Sequence, residues 1–516
     1  MGLGVAKGLN SGLARCFFHA ITGKSQPSRQ ENTAATPWKS TMSQVAILLL
    51  TLLLLVPLWV LLRRDFIHGL CYAVFLCVTM PTELRIPLPG SLPQLTIYRL
   101  VLIVVFLFWL RHRDRGQKLS DAPLFLVFMF WAVANLVSVV LTSGVFVSSL
   151  KRYLDFVVEA AVFFILMVTS LRDRQDALRV LRAACLGLVL VAALAFVEKY
   201  TAFNPVNYLY PDVEDVPQSQ WRDVIVTYRH RILLGTGMAV AFPLVLVMML
   251  KSVTGFRRSA FGWLSLALVL AGCYFADSRG PWLAAALAGG VLMVLGKLAI
   301  RRKLTVIFVL ATLVLVARPG VVQTLVRSAE ITGDAQSLKG GNFRYRLELW
   351  KVAWSEISGS PNRLLFGCGP GSGLGTTVDW NLSYRGGQRE EIWSWDNQLA
   401  YDLYQSGVVG FAASVSLYGS LLLAVYRSWR GVSPEDKPLM ACLLASIVAY
   451  EFMLTNVMMF TKPVNFLFWT VAAVYYTIAL NPQRQEQAIL EKVDSAGAAP
   501  SSVGPPLSGT SEFVVS

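Results

Sequence analysis

Long apolar runs recur along most of the chain, and they restrict its possible folds more than any other feature. A helix that crosses the hydrocarbon core of a bilayer needs about 20 mainly apolar residues. Such runs lie at about 44–62, 66–80, 96–110, 122–141, 154–171, 181–197, 232–250, 261–276, 281–298, 304–317, 407–426, 438–460 and 464–480. Because several are short or contain a charge, we expect 12 or 13 transmembrane helices.

The composition supports this class of protein. Hydrophobic residues make up 55% of the chain and charged residues only 15%, whereas soluble domains carry about 25% charged residues. The alternation of polar and apolar residues that marks the strands of a membrane β-barrel is absent. The sequence therefore predicts an all-α polytopic membrane protein.

Basic residues predict the orientation of the helices. The net charge is +15, and the excess lies in short loops, as expected on the cytoplasmic side. These loops hold Arg111–Lys118, Arg172–Arg179, Lys251–Arg258, Arg301–Lys303 and Arg427–Lys437. Alternation from them places residues 198–231, 277–280, 318–395 and 461–463 outside. Thirteen crossings would also put the basic N-terminal tail outside, against the same rule, so the topology before Arg111 stays open. The charge fits contact with membrane lipids, and we expect no nucleic-acid partner.

By composition, the chain divides into five regions. We expect a disordered tail at 1–42, with Met42 as an alternative start, and a disordered cytoplasmic tail at 481–516. Between them lie ten transmembrane helices at 43–317 with an extracytoplasmic loop at 198–231, a large extracytoplasmic loop at 318–398, and the last three transmembrane helices at 399–480. The large loop is the one long polar segment between apolar runs, so a polar site is expected there.

Arginines stand at the outer ends of two predicted helices. Arg229 and Arg231 precede the seventh run, and Arg279 lies in a tight turn between the eighth and the ninth. Arginine at a membrane surface costs free energy unless it is paired or hydrated, and its planar guanidinium binds two phosphate oxygens at once. The three arginines could therefore hold a pyrophosphate group. The alternative is that each extends to the lipid head groups or caps a helix.

The large loop contains an amphipathic segment at 342–357. An apolar stripe recurs there at helical spacing and predicts a helix that rests on the membrane surface: Phe343, Leu347, Trp350, Trp354 and Ile357. Arg344 and Arg346 are candidates to point into a substrate cavity, and Trp350 is a candidate substrate contact.

A glycine-rich segment follows at Phe366–Gly375. It lacks the Gly-Lys-Ser/Thr ending and the flanking strand and helix of a nucleotide-binding loop, and it lies on the side of the membrane without ATP. We expect tight turns that let a ligand approach the backbone, with Gly369 as a candidate contact.

Asp396 and Asn397 stand directly before a helical run, and Asn397 is a candidate substrate contact. Aspartate is a favoured residue at a helix start, where its oxygen accepts from free N–H groups. The functional alternative is a general base, because Trp393 and Trp395 would partly desolvate the carboxylate. Flat rings such as that of Trp395 also suit stacking on sugars. The two roles of Asp396 are compatible.

The sequence offers no pattern for a metal or a cofactor. The seven cysteines are scattered and the four histidines lie far apart, so no metal-ligand spacing is present. We expect neither group. Asp155 and Glu159, one turn apart in the fifth run, need polar partners within the membrane, and Arg99 is a candidate.

Taken in order along the chain, these motifs resemble the O-antigen ligase and O-antigen polymerase superfamily. The motifs are Ser278-Arg279-Gly280, Arg344–Trp350, Phe366–Gly371, Asp396-Asn397 and Gly407–Gly410. The similarity extends over roughly residues 44–480, and the order and topology of the motifs are more specific than any one of them.

The resemblance implies a metal-independent, GT-C-like glycosyltransferase of the bacterial inner membrane, acting on undecaprenyl-diphosphate-linked oligosaccharide at the periplasmic face. It implies that Arg279 and Arg231 bind the diphosphate and that Arg344 or Arg346 neutralises the leaving group. A chain-length regulator protein is a further partner that it suggests.

Ligases similar to this chain carry histidine where Asp396 stands, and the large loop has no histidine. That departure favours a polymerase of a surface polysaccharide or exopolysaccharide, in which Asp396 activates the acceptor hydroxyl. The alternative is an O-antigen ligase that transfers the glycan to a lipid A core or another acceptor. From another class, a lipid or glycan transporter would place its charges and broken helices near the middle of the bilayer, whereas most charges here lie in one outer loop.

Overall fold

The structure is a computed structural model. It describes residues 37–81, 84–86, 95–112, 123–142, 146–206, 224–250, 259–317, 323, 330, 338–373, 377–379, 389–392, 395–459 and 463–479. The expected C-terminal tail, most of the expected N-terminal tail and Trp393 lie outside the described residues.

A helix coincides with each of the thirteen apolar runs. These helices are α1 Pro37–Arg64, α2 Phe66–Thr79, α3 Ile97–His112, α4 Phe125–Thr142, α5 Phe146–Ser170, α6 Arg174–Thr201, α7 Arg231–Met248, α8 Ser259–Phe275, α9 Arg279–Leu295, α10 Leu298–Ala317, α13 Gln398–Gly431, α14 Lys437–Met453 and α15 Pro463–Ala479. The large loop adds α11 Leu338–Ile357 and α12 Pro361–Phe366. The described chain also has a short 3-10 helix, Val226–Tyr228, and two antiparallel ribbons: β1 Arg85–Ile86 with β2 Leu95–Thr96, and β3 Thr377–Asp379 with β4 Arg389–Glu391.

Six helices of the described chain are long and apolar enough to cross a membrane: α1, α4, α5, α6, α7 and α13. Four apolar helices are shorter, namely α2, α8, α9 and α15. Many large side chains on α1, α4 and α10 are exposed and apolar, as lipid contact requires. The predicted class, an all-α polytopic membrane protein, is therefore confirmed.

The interior of the bundle is built around α7. Its residues from Leu233 to Val247 are buried without a break, and it packs against α8, α9 and α14. The close approach to α9 requires glycine at 235, because a Cβ there would lie 2.7 Å from Cγ of Pro281. Since α7 and α9 meet near their first turns, their N-terminal ends lie side by side.

Helix α13 is broken at Gly407, whose φ of 63° and ψ of −165° are not helical. The carbonyl oxygens of Tyr404 and Gln405 accept instead from the backbone N–H groups of Cys368 and Gly369, both at 2.9 Å. A Cβ at Gly407 would lie 2.5 Å from the backbone nitrogen of Gly367. The glycines were expected to let a ligand approach the backbone, but in the described structure they admit the broken helix.

The start of α13 also differs from the expectation. Asn397 is the capping residue, and its Oδ1 accepts from the backbone N–H of Ala400 at 3.0 Å. Aspartate was expected in that position, one residue earlier. Because Asn397 caps α13, the carboxylate of Asp396 is not needed as the cap of this helix.

Candidate functional site

Four helix ends converge at the face predicted to be extracytoplasmic: the starts of α7, α9 and α13 and the end of α14. A Cβ at Gly280, the second residue of α9, would lie 3.2 Å from Cε of Met453, the last residue of α14, and 3.4 Å from Oδ1 of Asn456 in the turn that follows. The backbone N–H of Gln398 donates to the carbonyl oxygen of Leu454 at 2.8 Å. Each helix start carries a partial positive charge, so three starts at one place favour an anion.

Arg346 and Asp396 form the pair at the centre of this region. Nε of Arg346 donates to the carbonyl oxygens of Asp396 and Asn456, both at 3.2 Å, and its Nη2 lies 3.7 Å from Oδ2 of Asp396. The side chains of Arg346 and Asp396 are 21% and 25% exposed, so both can reach a bound molecule. Burial lowers the pKa of the Arg346 guanidinium, and the neighbouring Asp396 carboxylate acts in the opposite direction.

Arg279 is the first residue of α9, and the side chain of the preceding Ser278 makes no capping hydrogen bond. Nη2 of Arg279 is buried and has no hydrogen-bond partner among the described residues. A buried donor without a partner costs about 1–3 kcal/mol. Oxygen atoms of a bound anion would remove that cost.

Arg229 and Arg231 lie at the start of α7, and Glu198 fixes the turn that precedes them. The Glu198 carboxylate accepts from the backbone N–H groups of Ile225 at 3.2 Å and Val226 at 2.8 Å. Arg229 itself has a left-handed backbone with φ of 56°. In the turn before Arg279, Asp277 has a φ of 43°. Non-glycine residues with a positive φ have a strained backbone, and such strain clusters at functional sites.

Arg344 is exposed and is not brought to this pair. Residues two positions apart on a helix lie about 200° apart around its axis, so Arg344 and Arg346 face opposite directions. Arg346 shares its face with the fully buried Leu349 and Ala353. Of the two arginines expected to neutralise a leaving group, the structure brings Arg346 to the site.

Three further candidates contact other parts of the protein. Trp395 is fully buried, donates from Nε1 to the carbonyl oxygen of Gly373 at 2.9 Å and contacts the ring of Tyr404. Trp350 packs edge-to-face on Phe411. The N–H of Gly369 bonds to α13, as described above. The expectation that Trp395 stacks on a sugar is wrong for this structure, because its ring has no exposed surface.

The sequence reasoning missed Gln398, Asp402 and Asn456. Oε1 of Gln398 accepts from the backbone N–H of Met459 at 2.9 Å, and its Nε2 donates to Oδ1 of Asp402 at 2.7 Å. Asp402 also accepts from Nε2 of Gln405 at 3.2 Å. This network holds the turn that carries Asn456 against Arg346. Its sequence signal was the spacing of Gln398, Asp402 and Gln405 on one helix face.

The acidic residues of α5 have the kind of partner that was expected. Nη2 of Arg99 lies 2.7 Å from Oδ1 of Asp155, which confirms the predicted pairing. The hydroxyl of Tyr98 donates to Oε1 of Glu159 at 2.6 Å. Among the described residues, no group of three or more His, Cys, Asp or Glu side chains could hold a metal ion.

Comparison with known proteins identifies one segment of the chain. Residues 264–415 match the family model described as O-antigen ligase. No curated protein matches the chain. The matched segment runs from α8 into the second half of α13, and it contains Arg279, Arg346, Asp396 and the break at Gly407. The resemblance predicted from the motifs is thus confirmed for residues 264–415, which are similar to the O-antigen ligase family.

Proposed function

We propose that the protein transfers a glycan from an undecaprenyl diphosphate carrier to an acceptor hydroxyl at the periplasmic face of a bacterial inner membrane. The family match supports glycan transfer of the ligase or polymerase type. The observation that carries the finer proposal is Nη2 of Arg279, which is buried at the meeting point of three helix starts and has no partner in the described part of the chain. A diphosphate has the charge and the oxygen atoms that such a place requires.

In the proposed reaction, Asp396 takes the proton of the acceptor hydroxyl, and the hydroxyl oxygen attacks the anomeric carbon of the donor sugar. The bond from that carbon to the diphosphate oxygen breaks, and its electron pair remains on the diphosphate. Arg279, Arg231 and Arg346 stabilise the charge that develops on the leaving group. These cations take the place that a metal ion has in other enzymes, so the proposal keeps the metal-independent, GT-C-like class.

For the acceptor, we propose the non-reducing end of another carrier-linked repeat unit, which makes the protein a polymerase. The large loop has no histidine, and the partly exposed carboxylate of Asp396 beside Arg346 supports its role as the base. The second candidate is a ligase, which the description of the matched family favours. A chain-length regulator as a partner belongs to the polymerase proposal.

The test is glycan length in a strain that lacks this gene, complemented with the wild type, Asp396→Ala, Arg279→Ala or the control Arg344→Ala. General bases contribute about 10²–10⁴ in rate, so Asp396→Ala should leave single repeat units on their acceptor. Arg279→Ala should do the same, and Arg344→Ala should restore long chains. All variants are compared at equal membrane levels.

Each other outcome has a defined meaning. Full-length polymer that accumulates on undecaprenyl diphosphate in the deletion strain would establish a ligase. Full complementation by Asp396→Ala would remove the base assignment. A purified protein that moves the carrier-linked glycan across a vesicle membrane without releasing undecaprenyl diphosphate would be a transporter.

A further inference from the structure

Helices α3 and α5 enclose a groove that has no role in the proposed transfer. Its volume is about 390 Å³. Most of its lining is apolar, and four lining side chains are polar: Tyr98, Arg99, Asp155 and Glu159. The apolar lining residues are Leu95, Leu102, Ile103, Phe106, Leu154, Val158, Val162, Phe163 and Leu166.

The groove has the direction of a lipid chain and accommodates most of its length. The basic residues that follow α3 and α5 orient both helices from the outside inward, so the polar lining residues lie towards the outer end. The α5 lining extends from Leu154 to Leu166, a rise of about 18 Å at about 1.5 Å per residue. One leaflet of hydrocarbon is about 15 Å thick, half of a core of about 30 Å. The apolar part of the α5 lining, from Glu159 to Leu166, rises about 10 Å, so it holds about two thirds of a hydrocarbon chain of the outer leaflet.

The polar end of the groove is built around an incompletely bonded carboxylate. Glu159 is 1% exposed; its Oε1 accepts from Tyr98, and its Oε2 has no hydrogen-bond partner among the described residues. Glu159 belongs to the π-helical turn Val158–Val162 of α5. Such turns are rare in proteins as a whole, and those that occur are often found at functional sites. A ligand with N–H or O–H donors would complete the bonding of Glu159.

The charges at this end indicate the kind of head group. Arg99 and Asp155 form an ion pair at 2.7 Å, so the groove lacks the surplus of cations that a diphosphate would need. Asp155 and Glu159 are one turn apart, close enough for one ammonium group to contact both carboxylates. A phosphate oxygen on the same head group would lie beside Arg99.

We propose that this groove binds a phospholipid of the outer leaflet with a phosphoethanolamine head group. One hydrocarbon chain lies along the apolar lining, the primary ammonium donates to Asp155 and Glu159, and the phosphate contacts Arg99. The site is separate from the proposed transfer site. Its α5 wall does reach the glycine-rich segment, because a Cβ at Gly371 would lie 3.3 Å from Cβ of Arg152. The bound lipid would therefore support the segment on which α13 depends.

The test is native mass spectrometry of the purified full-length chain with added phospholipids of identical acyl chains. Phosphatidylethanolamine should bind about tenfold more tightly than phosphatidylcholine, which has the same charges but no N–H donors. Phosphatidylglycerol, which is anionic and lacks the ammonium, should also bind more weakly. Glu159→Gln keeps one oxygen to accept from the Tyr98 hydroxyl but replaces the second carboxylate oxygen with an amide NH₂ group. The variant should therefore reduce the preference for phosphatidylethanolamine about tenfold.

A matched pair of variants tests the place of binding. Ile103 and Leu107 are both exposed on α3, at 47% and 56%, but only Ile103 is among the residues that line the groove. Ile103→Trp should fill the groove and abolish selective binding, whereas Leu107→Trp should bind as the wild type does. Equal binding of phosphatidylcholine and phosphatidylethanolamine, or unchanged binding by Ile103→Trp at an unchanged melting temperature, would overturn the proposal.

Discussion

Two arginines of α11, two positions apart in the chain, have opposite surroundings. Arg346 contacts the backbone of Asp396 and Asn456, and Arg344 is exposed on the other side of the helix. Both were candidates from the sequence, because a pattern of residue types cannot show which face of a helix meets the rest of the protein. The identity of the helix was predictable, whereas the choice between its arginines required the fold.

Substituting the two arginines in parallel tests this difference. Arg346→Lys keeps the charge but loses the planar group that donates to two carbonyl oxygens and lies beside the carboxylate. One hydrogen bond to a charged group contributes about 1.5–3 kcal/mol, so transfer should fall about tenfold or more. Arg344→Lys should change it less than about twofold. Initial rates of product formation in purified membranes, at matched protein levels, measure both variants, and equal losses would contradict the assignment.

Substitution of Asp402 should lower the stability of the protein. It accepts from the side chains of Gln398 and Gln405 in a fully buried position. Asp402→Ala would leave two buried amide donors without a partner, at about 1–3 kcal/mol each. Asp402→Asn keeps an acceptor oxygen and should be the milder change. Melting temperatures in detergent should fall in the order wild type, Asn, Ala, and an Ala variant as stable as the wild type would show that the network is not needed.

Among elements, α11 shows what an apolar pattern can and cannot predict. The stripe from Phe343 to Ile357 correctly indicated a helix. Within it, however, Ile357 is fully buried, whereas Leu347 and Trp354 are 51% and 55% exposed. Protein interior and lipid both select apolar residues, so one stripe can combine a face that packs on the bundle with a face that meets the membrane. The sequence has no sign that separates the two.

The break in α13 can be tested with two glycines of the same helix. Gly407 has a positive φ and lies against the backbone of Leu365 and Gly367, whereas a Cβ placed at Gly419 has no atom of another described element within 4 Å. Gly407→Ala should cost about 3 kcal/mol or more, because the strain of a left-handed alanine adds to a backbone clash. Gly419→Ala should stabilise the helix by about 0.5–1 kcal/mol. Thermal unfolding of the two purified variants measures the difference, and similar melting temperatures would argue against the break.

For the whole molecule, the thirteen apolar runs were sufficient to predict that these helices exist. They were not sufficient to predict where the polar ends of the helices lie. α5 begins at Phe146 and α13 at Gln398, well before the runs that marked them, because the apolar pattern stops where a helix leaves the lipid. The convergence of helix ends also could not be predicted from the sequence. Gly280 and Asn456 lie far apart in the chain and meet only through α9 and α14, and such a contact leaves no local pattern.

The predicted orientation can be tested by introducing one additional cysteine at a time in place of an exposed glycine. Gly359 lies after α11 on the side predicted to be periplasmic, and Gly431 lies at the opposite end of α13. Gly359→Cys should react with a membrane-impermeant maleimide in intact spheroplasts, and Gly431→Cys only after permeabilisation. Burial raises the pKa of the Cys368 thiol, so this native cysteine should react slowly. The parent chain, labelled in parallel, measures the background, and the reverse pattern would invert the topology.

The contact between the glycine-rich segment and the broken helix has a consequence for chimeric proteins. Two carbonyl groups of α13 obtain their hydrogen bonds from residues 368 and 369, so the loop completes the bundle as well as covering it. An exchange of the loop with that of a related protein must therefore keep the glycines at 367 and 407 together. Loop grafts that divide this pair should yield protein that fails quality control in the membrane, even when every helix is intact.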